Sequence, residues 1–445
     1  MKELNNAYAD IIRSRYEENV ISGKNFVDYM NSSTAVFAGQ PVKCAYMPKL
    51  LSPKAWGALS DAAATLCSIL DKVITSYIQD PTYRKLFPFS PQLEEMILTD
   101  AGYARLLPIA RLDLFLDEDD FTFRFCEFNA DGASAMNEDR ELLVALADCD
   151  AMAKFKEQHD VTTFEFFDSW VREFLEIYES YSKKMPSPRV IISDFMDRAT
   201  PNEFKIFKEA FLRAGIDTDI CDIRDLSYVN GNLQTPDGKP VHAIYRRAVT
   251  RDIMERFDDV KPFIQAVKDN AVCLVGHFRT QVIHHKSLFM ILRMPETLSF
   301  LTDGEAKFVL ETIPETLPLK PGLFDLDEVL KNKNDWIIKP EDYYGSKGVY
   351  TGVDLDEAAW AKAIADATDT GYLLQRFVPP FKTENIDFNN NLRPDIKSYN
   401  NITGMFVYNG KLQGIYTRIG LEGTITPTSG LTIASMIATP KKTAP

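Results

Sequence analysis

Two stretches of the sequence give the clearest indication of the fold: Ala-Arg-Leu-Asp-Leu-Phe-Leu at residues 110–116 and Phe-Thr-Phe-Arg-Phe-Cys-Glu-Phe-Asn at residues 121–129. An acidic turn at residues 117–120 separates the two stretches. In both of them, apolar side chains recur at every second position, and this period of two predicts β-strands. The two stretches are therefore predicted to form an antiparallel hairpin.

The predicted hairpin carries polar side chains on one face. Arg111 and Asp113 point the same way on the first strand, and Glu127 and Asn129 share a face of the second. The two faces coincide only if the connecting loop has an odd number of residues. An even loop would place Asp113 opposite Arg124 and turn the glutamate away. Two carboxylates and an amide oxygen form the all-oxygen set that Mg²⁺ prefers, often together with nucleotide phosphates. The alternative is an exposed hairpin with scattered charges.

Composition limits the class of protein. The 445 residues exceed what one hydrophobic core usually serves, so two or three domains are expected. The net charge of −14 argues against a nucleic-acid-binding surface. No apolar run is long enough to span a bilayer, and the first residues lack the apolar core of a signal peptide. The six cysteines form no CxxC pair, so we expect free thiols and a cytoplasmic location.

The chain before and after residue 185 differs in character. Residues 1–100 are predicted to be mainly helical, and Ser52-Pro53 marks the start of a long helix. After a proline-bounded segment at residues 183–188, a strand–helix–strand order favours a small parallel sheet within residues 186–275. This unit lacks a glycine-rich dinucleotide fingerprint, which disfavours Rossmann-type cofactor binding.

The tripeptide Tyr245-Arg246-Arg247 ends a predicted strand of this α/β unit. Ligand contacts are frequent at the carboxyl ends of strands in such sheets. Arginines are equally common on protein surfaces. The sequence leaves both interpretations of the arginine pair open.

A second set of candidate residues follows. Lys286 opens or lies within a predicted helix, Lys339 lies near the end of a predicted strand, and Gln375 ends a strand before the hinge Pro379-Pro380. A loop after Lys339 contains Gly345, Ser346, Lys347 and Gly348. A nucleoside triphosphate needs positive charge and backbone N–H groups at its phosphates, and these residues offer both. Further along, residues 420–434 are rich in Gly, Thr and Ser and are expected to approach phosphates.

Several other nucleotide-binding and catalytic motifs are absent from the sequence. There is no GxxxxGK[ST] phosphate loop, no HRD and DFG kinase pair, and no GxSxG nucleophile elbow. A P-loop NTPase, a protein kinase and a serine hydrolase are therefore not indicated.

Taken together, these motifs resemble the circularly permuted ATP-grasp family, which includes the synthetase domain of glutathionylspermidine synthase. The resemblance is sharpest at Arg111-x-Asp113 and at Glu127-x-Asn129-Ala-Asp-x-Ala-Ser. It continues more weakly through Lys286, Lys339, the glycine loop, Gln375 and the segment from Gly414 to Arg418. In the permuted order the metal carboxylates precede the lysines, as they do here. The resemblance implies an α/β (α+β) ATP-grasp fold with a small parallel α/β domain.

The resemblance also implies roles for individual residues. Asp113, Glu127 and Asn129 would hold Mg²⁺, and Arg111 would stabilise the transferring phosphoryl group. Lys286 and Lys339 would contact the ATP phosphates and the adenine side, Gln375 would line the adenine pocket, and Arg418 would be a candidate phosphate contact. The implied domains are residues 1–100 (helical), 101–185 (metal-binding part of the core), 186–275 (substrate domain) and 276–445 (ATP-binding part of the core).

The implied function is an ATP-dependent carboxylate–amine ligase that forms an amide bond through an acylphosphate and requires ATP and Mg²⁺. Its partners would be a small-molecule or peptide carboxylate and an amine, with no nucleic acid or membrane. Two departures from the family pattern restrict this inference. The loop reads YYGSKG, where more glycines are usual, and no amidase domain with a catalytic cysteine and histidine is attached. An ATP-binding regulatory module and an ATP-dependent phosphotransferase remain the alternatives.

Overall fold

The structure, a computed structural model, describes residues 1–343, 345–391 and 393–441. Tyr344, which belongs to the predicted glycine loop, lies outside the described residues. The chain is a mixed α/β protein with several separate sheets. Within the described ranges, none of the helices combines the length and the apolar character that crossing a lipid bilayer requires.

Among the described residues, helices make up most of the first 100 residues and recur between the strands further along the chain. They are α1 (Lys2–Ser14), α2 (Tyr16–Ser32), α3 (Pro53–Gln79), α4 (Pro81–Arg84), α5 (Pro91–Ile97), α6 (Met136–Ala147), α7 (Asp150–Gln158), α8 (Phe167–Glu179), α9 (Pro201–Arg213), α10 (Thr250–Glu255), α11 (Lys261–Lys268), α12 (Gln281–His284), α13 (Leu288–Ile291), α14 (Pro295–Leu298), α15 (Asp303–Thr312), α16 (Leu326–Lys331) and α17 (Glu357–Ala367).

The strands occur throughout the chain, and the longest pair lies near its end. They are β1 (Val36–Phe37), β2 (Gln40–Pro41), β3 (Lys49–Leu51), β4 (Ile109–Leu116), β5 (Phe123–Asn129), β6 (His159–Thr163), β7 (Arg189–Asp194), β8 (Asp217–Asp222), β9 (Ser227–Val229), β10 (Asn232–Gln234), β11 (Ala243–Arg246), β12 (Cys273–Val275), β13 (Thr316–Pro318), β14 (Trp336–Pro340), β15 (Tyr350–Thr351), β16 (Tyr372–Arg376), β17 (Lys382–Asn385), β18 (Lys397–Tyr408), β19 (Lys411–Gly420), β20 (Leu431–Ile433) and β21 (Ser435–Pro440).

The largest sheet is antiparallel and has the order β20-β19-β18-β4-β5, with β17 also paired to β18. It contains the predicted hairpin β4–β5 and joins it to the hairpin β18–β19 from the end of the chain. Asn409 and Gly410 connect β18 to β19 with φ angles of 49° and 85°, as the Asn-Gly pair predicts for a type I′ turn. Segments that are distant in sequence are thus brought onto one sheet.

One face of this sheet is buried by the long helix α3. Ser52 caps that helix, because its hydroxyl accepts a hydrogen bond from the Ala55 amide, and Pro53 occupies its first turn. Leu112 and Leu114 of β4 point to this side and are fully buried. The alternation along β4 therefore places Arg111 and Asp113 on the opposite face of the sheet.

A second sheet is parallel and has the order β12-β11-β7-β8. Helix α9 connects β7 to β8 and is followed by Gly215, whose φ of +80° is the left-handed conformation that glycine adopts without strain. The predicted strand–helix–strand unit is therefore present. The end of its strand β11 contacts the loop that follows β5, through Arg246 and Asp131.

A third sheet, with the order β13-β16-β14-β15, is antiparallel and carries α16 and α17 on one side. Trp336, Ile338, Trp360 and Leu374 belong to its small separate core. The other side carries Lys339 and Gln375, and Lys339 reaches the β4–β5 hairpin. The candidate site lies between this third sheet and the largest sheet.

Candidate active site

A β-bulge sets the geometry of the β4–β5 hairpin. The loop between the strands has six residues, 117–122, and yet Asp113 pairs with Glu127, so the condition that only an odd loop brings the two faces together is wrong. Near the loop Leu114 pairs with Phe125, but further along Asp113 pairs with Glu127, because Cys126 is the extra residue of a bulge. The bulge shifts the register by one residue, which turns Glu127 to the side of Asp113 despite the even loop.

Arg111 and Asp113 form a buried ion pair on the cleft side of β4. The Arg111 Nε and Nη2 atoms donate to the two carboxylate oxygens of Asp113 at 2.8 and 3.0 Å, and Nη1 donates to the Ser134 carbonyl at 2.9 Å. Gly404 of β18 packs against the pair, and a Cβ atom there would be 2.7 Å from Asp113 Oδ1. Asn129 donates its amide to Asp113 Oδ2 at 3.1 Å. Because a carboxylate only accepts, the amide nitrogen faces Asp113 and the Asn129 oxygen is left for another partner.

Lys286 connects Glu127 to the glycine loop. It lies between α12 and α13, and not within a helix as expected, and its side chain is 8 % exposed. Its Nζ is 3.0 Å from Glu127 Oε1 and donates to the Tyr343 carbonyl at 2.5 Å. Burial raises the pKa of Glu127, but Lys286, Lys339 and Arg111 together outweigh burial and lower this pKa to about 2. Glu127 is therefore a fully ionised carboxylate at neutral pH.

Lys339 of β14 lies on the other side of Glu127. Its Nζ donates to the Cys126 carbonyl at 3.0 Å and to Gln375 Oε1 at 2.8 Å, and Gln375 donates to Thr316 Oγ1 at 2.9 Å. The Cys126 carbonyl is accessible to Lys339 because a bulged residue leaves the strand ladder. Burial lowers the pKa of Lys339, although the nearby Glu127 carboxylate opposes this.

Of these side chains, Glu127, Lys286, Lys339 and Gln375 line a cleft that is partly open to solvent, whereas Arg111, Asp113 and Asn129 are not among its lining residues. Glu127, Lys286, Lys339 and Lys347 give it a charged end. The rest of the lining is mainly apolar: Phe115, Ile337, Pro340, Val349, Phe377, Val378, Ile402 and Ile425. A cleft with an apolar body and several lysines fits an anionic ligand that also has an apolar part.

The glycine loop after β14 borders the cleft. Gly345, Ser346 and Gly348 have φ angles of 67°, 59° and 72°, and Ser346 and Lys347 line the cleft. The loop is tied to the α/β unit, because Arg251 of α10 donates to the Asp342 carbonyl and lies 3.9 Å from the Tyr343 ring centroid. The loop therefore contacts both the cation Lys286 and the parallel-sheet unit.

The Gly, Thr and Ser-rich segment before β20 also reaches the cleft. Gly423, Thr424 and Ile425 line it. Asp354 holds this segment, because it accepts hydrogen bonds from the Gly423 and Thr424 amides at 2.9 and 3.0 Å. The segment is thus tied to the third sheet through Asp354, which follows β15.

Arg418 lies on the same face of the largest sheet but is not among the residues that line the cleft. Its Nε and Nη1 atoms are buried without a hydrogen-bond partner among the described residues. Its guanidinium carbon is 5.6 Å from the Tyr416 ring centroid, and that of Arg111 is 5.4 Å from the same ring. Buried guanidinium N–H groups without partners indicate a place for an anionic ligand group.

Sequence patterns missed Glu138, which lies beside these arginines. The Tyr416 hydroxyl donates to the Glu138 carboxylate, and Thr432 Oγ1 donates to it at 3.3 Å. Burial raises the pKa of Glu138, while the Tyr416 hydrogen bond and the Arg418 charge oppose this. Its signal in the sequence was its position in the first turn of α6, just after the Asn-Ala-Asp-Gly-Ala-Ser segment.

Arg246 and Arg247 are neither a surface pair nor open ligand contacts. Arg246 forms an ion pair of 2.6 Å with Asp131, and both side chains are 1 % exposed. Arg247 pairs with Glu203 at 2.8 Å and donates to the Ala133 carbonyl. The end of the parallel sheet is therefore filled by the chain's own loop after β5, which these arginines hold in place.

The predicted Mg²⁺ ligands are close together, but each carboxylate is engaged by a cation. Among the residues that the structure describes, no group of three or more His, Cys, Asp or Glu side chains is arranged to hold a metal ion. The set instead combines the Asp113 and Glu127 carboxylates with the Asn129 amide oxygen. These oxygen donors fit the chemistry of Mg²⁺, provided that Lys286 moves away from Glu127 and that Asp113 offers the metal an oxygen lone pair which Arg111 does not occupy.

Comparisons with known proteins support the fold. No protein-family model and no curated protein matches the sequence. The structure is similar to that of a glutathione synthetase-like effector from Globodera pallida in its apo form, with a TM-score of 0.63 and 11% identity. That likeness covers 94% of this chain and 96% of the effector, so the two proteins share a fold over almost their full lengths. A putative gamma-glutamylcysteine synthetase from Methylobacillus flagellatus has a TM-score of 0.43, 11% identity and coverage of 87% and 89%, which is too weak to carry an argument.

Proposed function

We propose that this protein is an ATP-dependent carboxylate–amine ligase with the circularly permuted ATP-grasp fold. The observation that carries the proposal is the meeting of Lys286, Lys339 and Glu127 at one end of a largely apolar cleft. The two lysines come from segments far along the chain from the hairpin that supplies the carboxylate. Side chains of opposite charge, brought from distant segments into one cleft, are typical of a functional site.

In the proposed complex the cleft binds ATP and Mg²⁺. The apolar lining and Gln375 receive the base, and Lys286, Lys339 and Lys347 neutralise the phosphates. Glu127, Asp113 and the Asn129 oxygen are the residues that hold Mg²⁺, which supplies charge neutralisation at the transferring phosphate. Arg111 is positioned to stabilise the phosphoryl group as it moves.

The reaction joins a carboxylate to an amine. The carboxylate of a small molecule or peptide takes the γ-phosphoryl group to give an acylphosphate and ADP, and the amine nitrogen then attacks the acyl carbon and displaces phosphate. The protein positions the reactants and neutralises charge. The glycine loop and the Gly423–Ile425 segment exclude water, which would otherwise hydrolyse the acylphosphate. Arg418, with two guanidinium nitrogens that lack partners among the described residues, is suited to an anionic group of phosphate or substrate.

The shared fold with the glutathione synthetase-like effector supports a ligase-type scaffold, and the site residues support the chemistry. We propose a cytoplasmic location, since the six cysteines are free thiols and five of them are buried. The charges of Lys286, Lys339 and Arg111 lower the pKa of Glu127 to about 2, so this carboxylate is ionised at neutral pH.

The direct experiment is a screen of acids and amines for the release of ADP that depends on both substrates. Removing one phosphate contact typically costs on the order of 3 kcal/mol of barrier, about a hundredfold or more in rate. Glu127→Ala and Lys339→Ala are therefore expected to lose turnover while remaining folded. Lys307→Ala is the matched control, since that lysine of α15 is 74 % exposed and is not among the residues that line the cleft.

The products separate the alternatives. Wild-type rates from folded Glu127→Ala or Lys339→Ala would contradict the proposal. ATP binding without ADP release in the presence of any acid and amine would favour a nucleotide-binding module. A phosphorylated product without an amide would favour a phosphotransferase.

A further inference from the structure

The charged cluster around Asp113 and Glu127 has more positive than negative charge. Arg111 pairs with Asp113, Lys286 pairs with Glu127, and the charge of Lys339 also acts on Glu127. A bare divalent cation entering this cluster would be added to a surplus of positive charge. A metal that arrives with the negative charges of a triphosphate would not meet this repulsion.

Glu127 is also blocked by a direct contact. Lys286 Nζ lies 3.0 Å from Glu127 Oε1, at the distance of an N–H···O hydrogen bond. Because the Lys286 side chain is buried, its ammonium group has little room to turn away into water. A divalent cation can use this carboxylate only if the ammonium group moves away.

The position of Lys286 depends on the glycine loop. Its Nζ donates to the Tyr343 carbonyl at 2.5 Å, and its backbone amide donates to the Glu341 carbonyl at 3.0 Å. The loop thus holds Lys286 against Glu127. A polyphosphate bound between the loop and the hairpin offers Lys286 a stronger anionic partner than one carboxylate, and so releases Glu127.

We propose that Lys286 is a gate for the metal: it occupies Glu127 until a nucleoside triphosphate draws it away, so that metal and nucleotide enter together. This inference rests on the proposed nucleotide site. It assigns Lys286 a second task, which is to keep the ligand set closed to free divalent cations when no nucleotide is bound.

Binding of Mn²⁺, followed by electron paramagnetic resonance, tests the gate without any turnover. Wild-type protein is expected to bind Mn²⁺ weakly alone and at least tenfold more tightly with a non-hydrolysable ATP analogue. Lys286→Met frees Glu127 and is expected to bind Mn²⁺ without nucleotide at least tenfold more tightly than the wild type. The double variant Lys286→Met with Glu127→Gln is expected to lose that gain.

Lys339→Met is the matched control for charge. It removes one positive charge beside the same carboxylate but leaves the contact between Lys286 and Glu127 intact. A gate therefore predicts a clear gain of nucleotide-independent Mn²⁺ binding for Lys286→Met and little gain for Lys339→Met. Equal gains in both variants would mean that charge alone excludes the metal, and would overturn the gate.

Two further results would overturn the inference. One is wild-type protein that binds Mn²⁺ without nucleotide as tightly as Lys286→Met. The other is folded Lys286→Met that gains no Mn²⁺ binding; Lys286→Gln, which also removes the charge, serves in its place if the methionine variant does not fold. Calorimetry tests the proposed function separately. If the protein has no nucleotide site, the wild type will bind no ATP analogue, whatever the Mn²⁺ comparison gives.

Discussion

Asp113 and Glu127 lie directly opposite each other on β4 and β5, yet a different cation neutralises each carboxylate. Arg111 binds Asp113 from two positions earlier on the same strand, and Lys286 reaches Glu127 from between α12 and α13. Like charges in paired positions of neighbouring strands repel each other, so the two cations stabilise the arrangement. Contacts that hold these cations in place should therefore matter for both stability and binding.

Gly404→Ala is expected to disturb the Arg111–Asp113 pair. The added Cβ would lie 2.7 Å from Asp113 Oδ1 and 2.8 Å from Arg111 Cδ, so both side chains must move. Overpacking of this kind typically costs about 1–3 kcal/mol. We expect a lower urea midpoint of unfolding together with weaker nucleotide binding.

Gly57→Ala is the control for this prediction. Gly57 lies within α3, and among the described residues outside that helix none would come within 4 Å of the Cβ atom of an alanine there. Alanine in a helix interior stabilises by about 0.5–1 kcal/mol relative to glycine. A Gly404→Ala variant as stable as Gly57→Ala would contradict the close packing against Asp113.

Arg246→Met is expected to destabilise the protein rather than to weaken substrate binding selectively. It leaves the Asp131 carboxylate buried without its cation. Breaking a buried ion pair by removing one partner typically costs about 3–5 kcal/mol. Urea unfolding of Arg246→Met, Asp131→Asn and the double variant should give a double variant that is more stable than the sum of the two single losses predicts.

One result would instead indicate that Arg246 contacts a ligand. In that result, the free energy of unfolding of Arg246→Met would lie within about 0.5 kcal/mol of the wild-type value, while the affinity for substrate would be much lower.

Asp139→Asn is expected to stabilise the protein at neutral and alkaline pH. Asp139 is 0 % exposed, its Oδ2 has no hydrogen-bond partner among the described residues, and burial raises its pKa to about 8. In the unfolded chain an aspartate has a pKa of about 3.9. Between about pH 4 and pH 8 the folded protein holds a proton that the unfolded chain has lost, so stability falls as the pH rises through this window.

Urea midpoints measured from pH 4 to pH 9 test this prediction. The variant and the wild type should be similarly stable near pH 4, and the variant should be the more stable at pH 8. Asp258→Asn is the control, because this side chain is 86 % exposed and should leave the pH profile unchanged. If the urea midpoints of Asp139→Asn and the wild type changed with pH in the same way, Asp139 would be ionised in the folded protein and the prediction would be wrong.

Local patterns in the sequence predicted much of the fold. The period of two in residues 110–116 and 121–129 predicted the hairpin, the Asn409-Gly410 pair predicted the β18–β19 turn, and Ser52-Pro53 predicted the start of α3. Each of these features depends on the conformational preferences of a few neighbouring residues.

The contacts of the site were less predictable, because they join distant segments. The bulge at Cys126 places Glu127 on the same side as Asp113 although the loop has an even number of residues. The Cys126 carbonyl accepts a hydrogen bond from Lys339, 213 residues away. The burial of Arg246 depends on Asp131, 115 residues away. Neither pairing leaves a local signal in the sequence. The roles of the cleft residues remain predictions for experiment.

Thermal unfolding with and without ATP and magnesium tests whether Glu127 belongs to a nucleotide site. A ligand at about 100 times its dissociation constant stabilises a protein by about 2.7 kcal/mol, a rise of roughly a few degrees or less in Tm for a chain of this length. We expect this rise in the wild type and in Lys307→Ala only when ATP and magnesium are both present, and no rise in Glu127→Ala. An unchanged wild-type Tm at saturating ATP and magnesium, or an equal rise in Glu127→Ala, would contradict a nucleotide site built around Glu127.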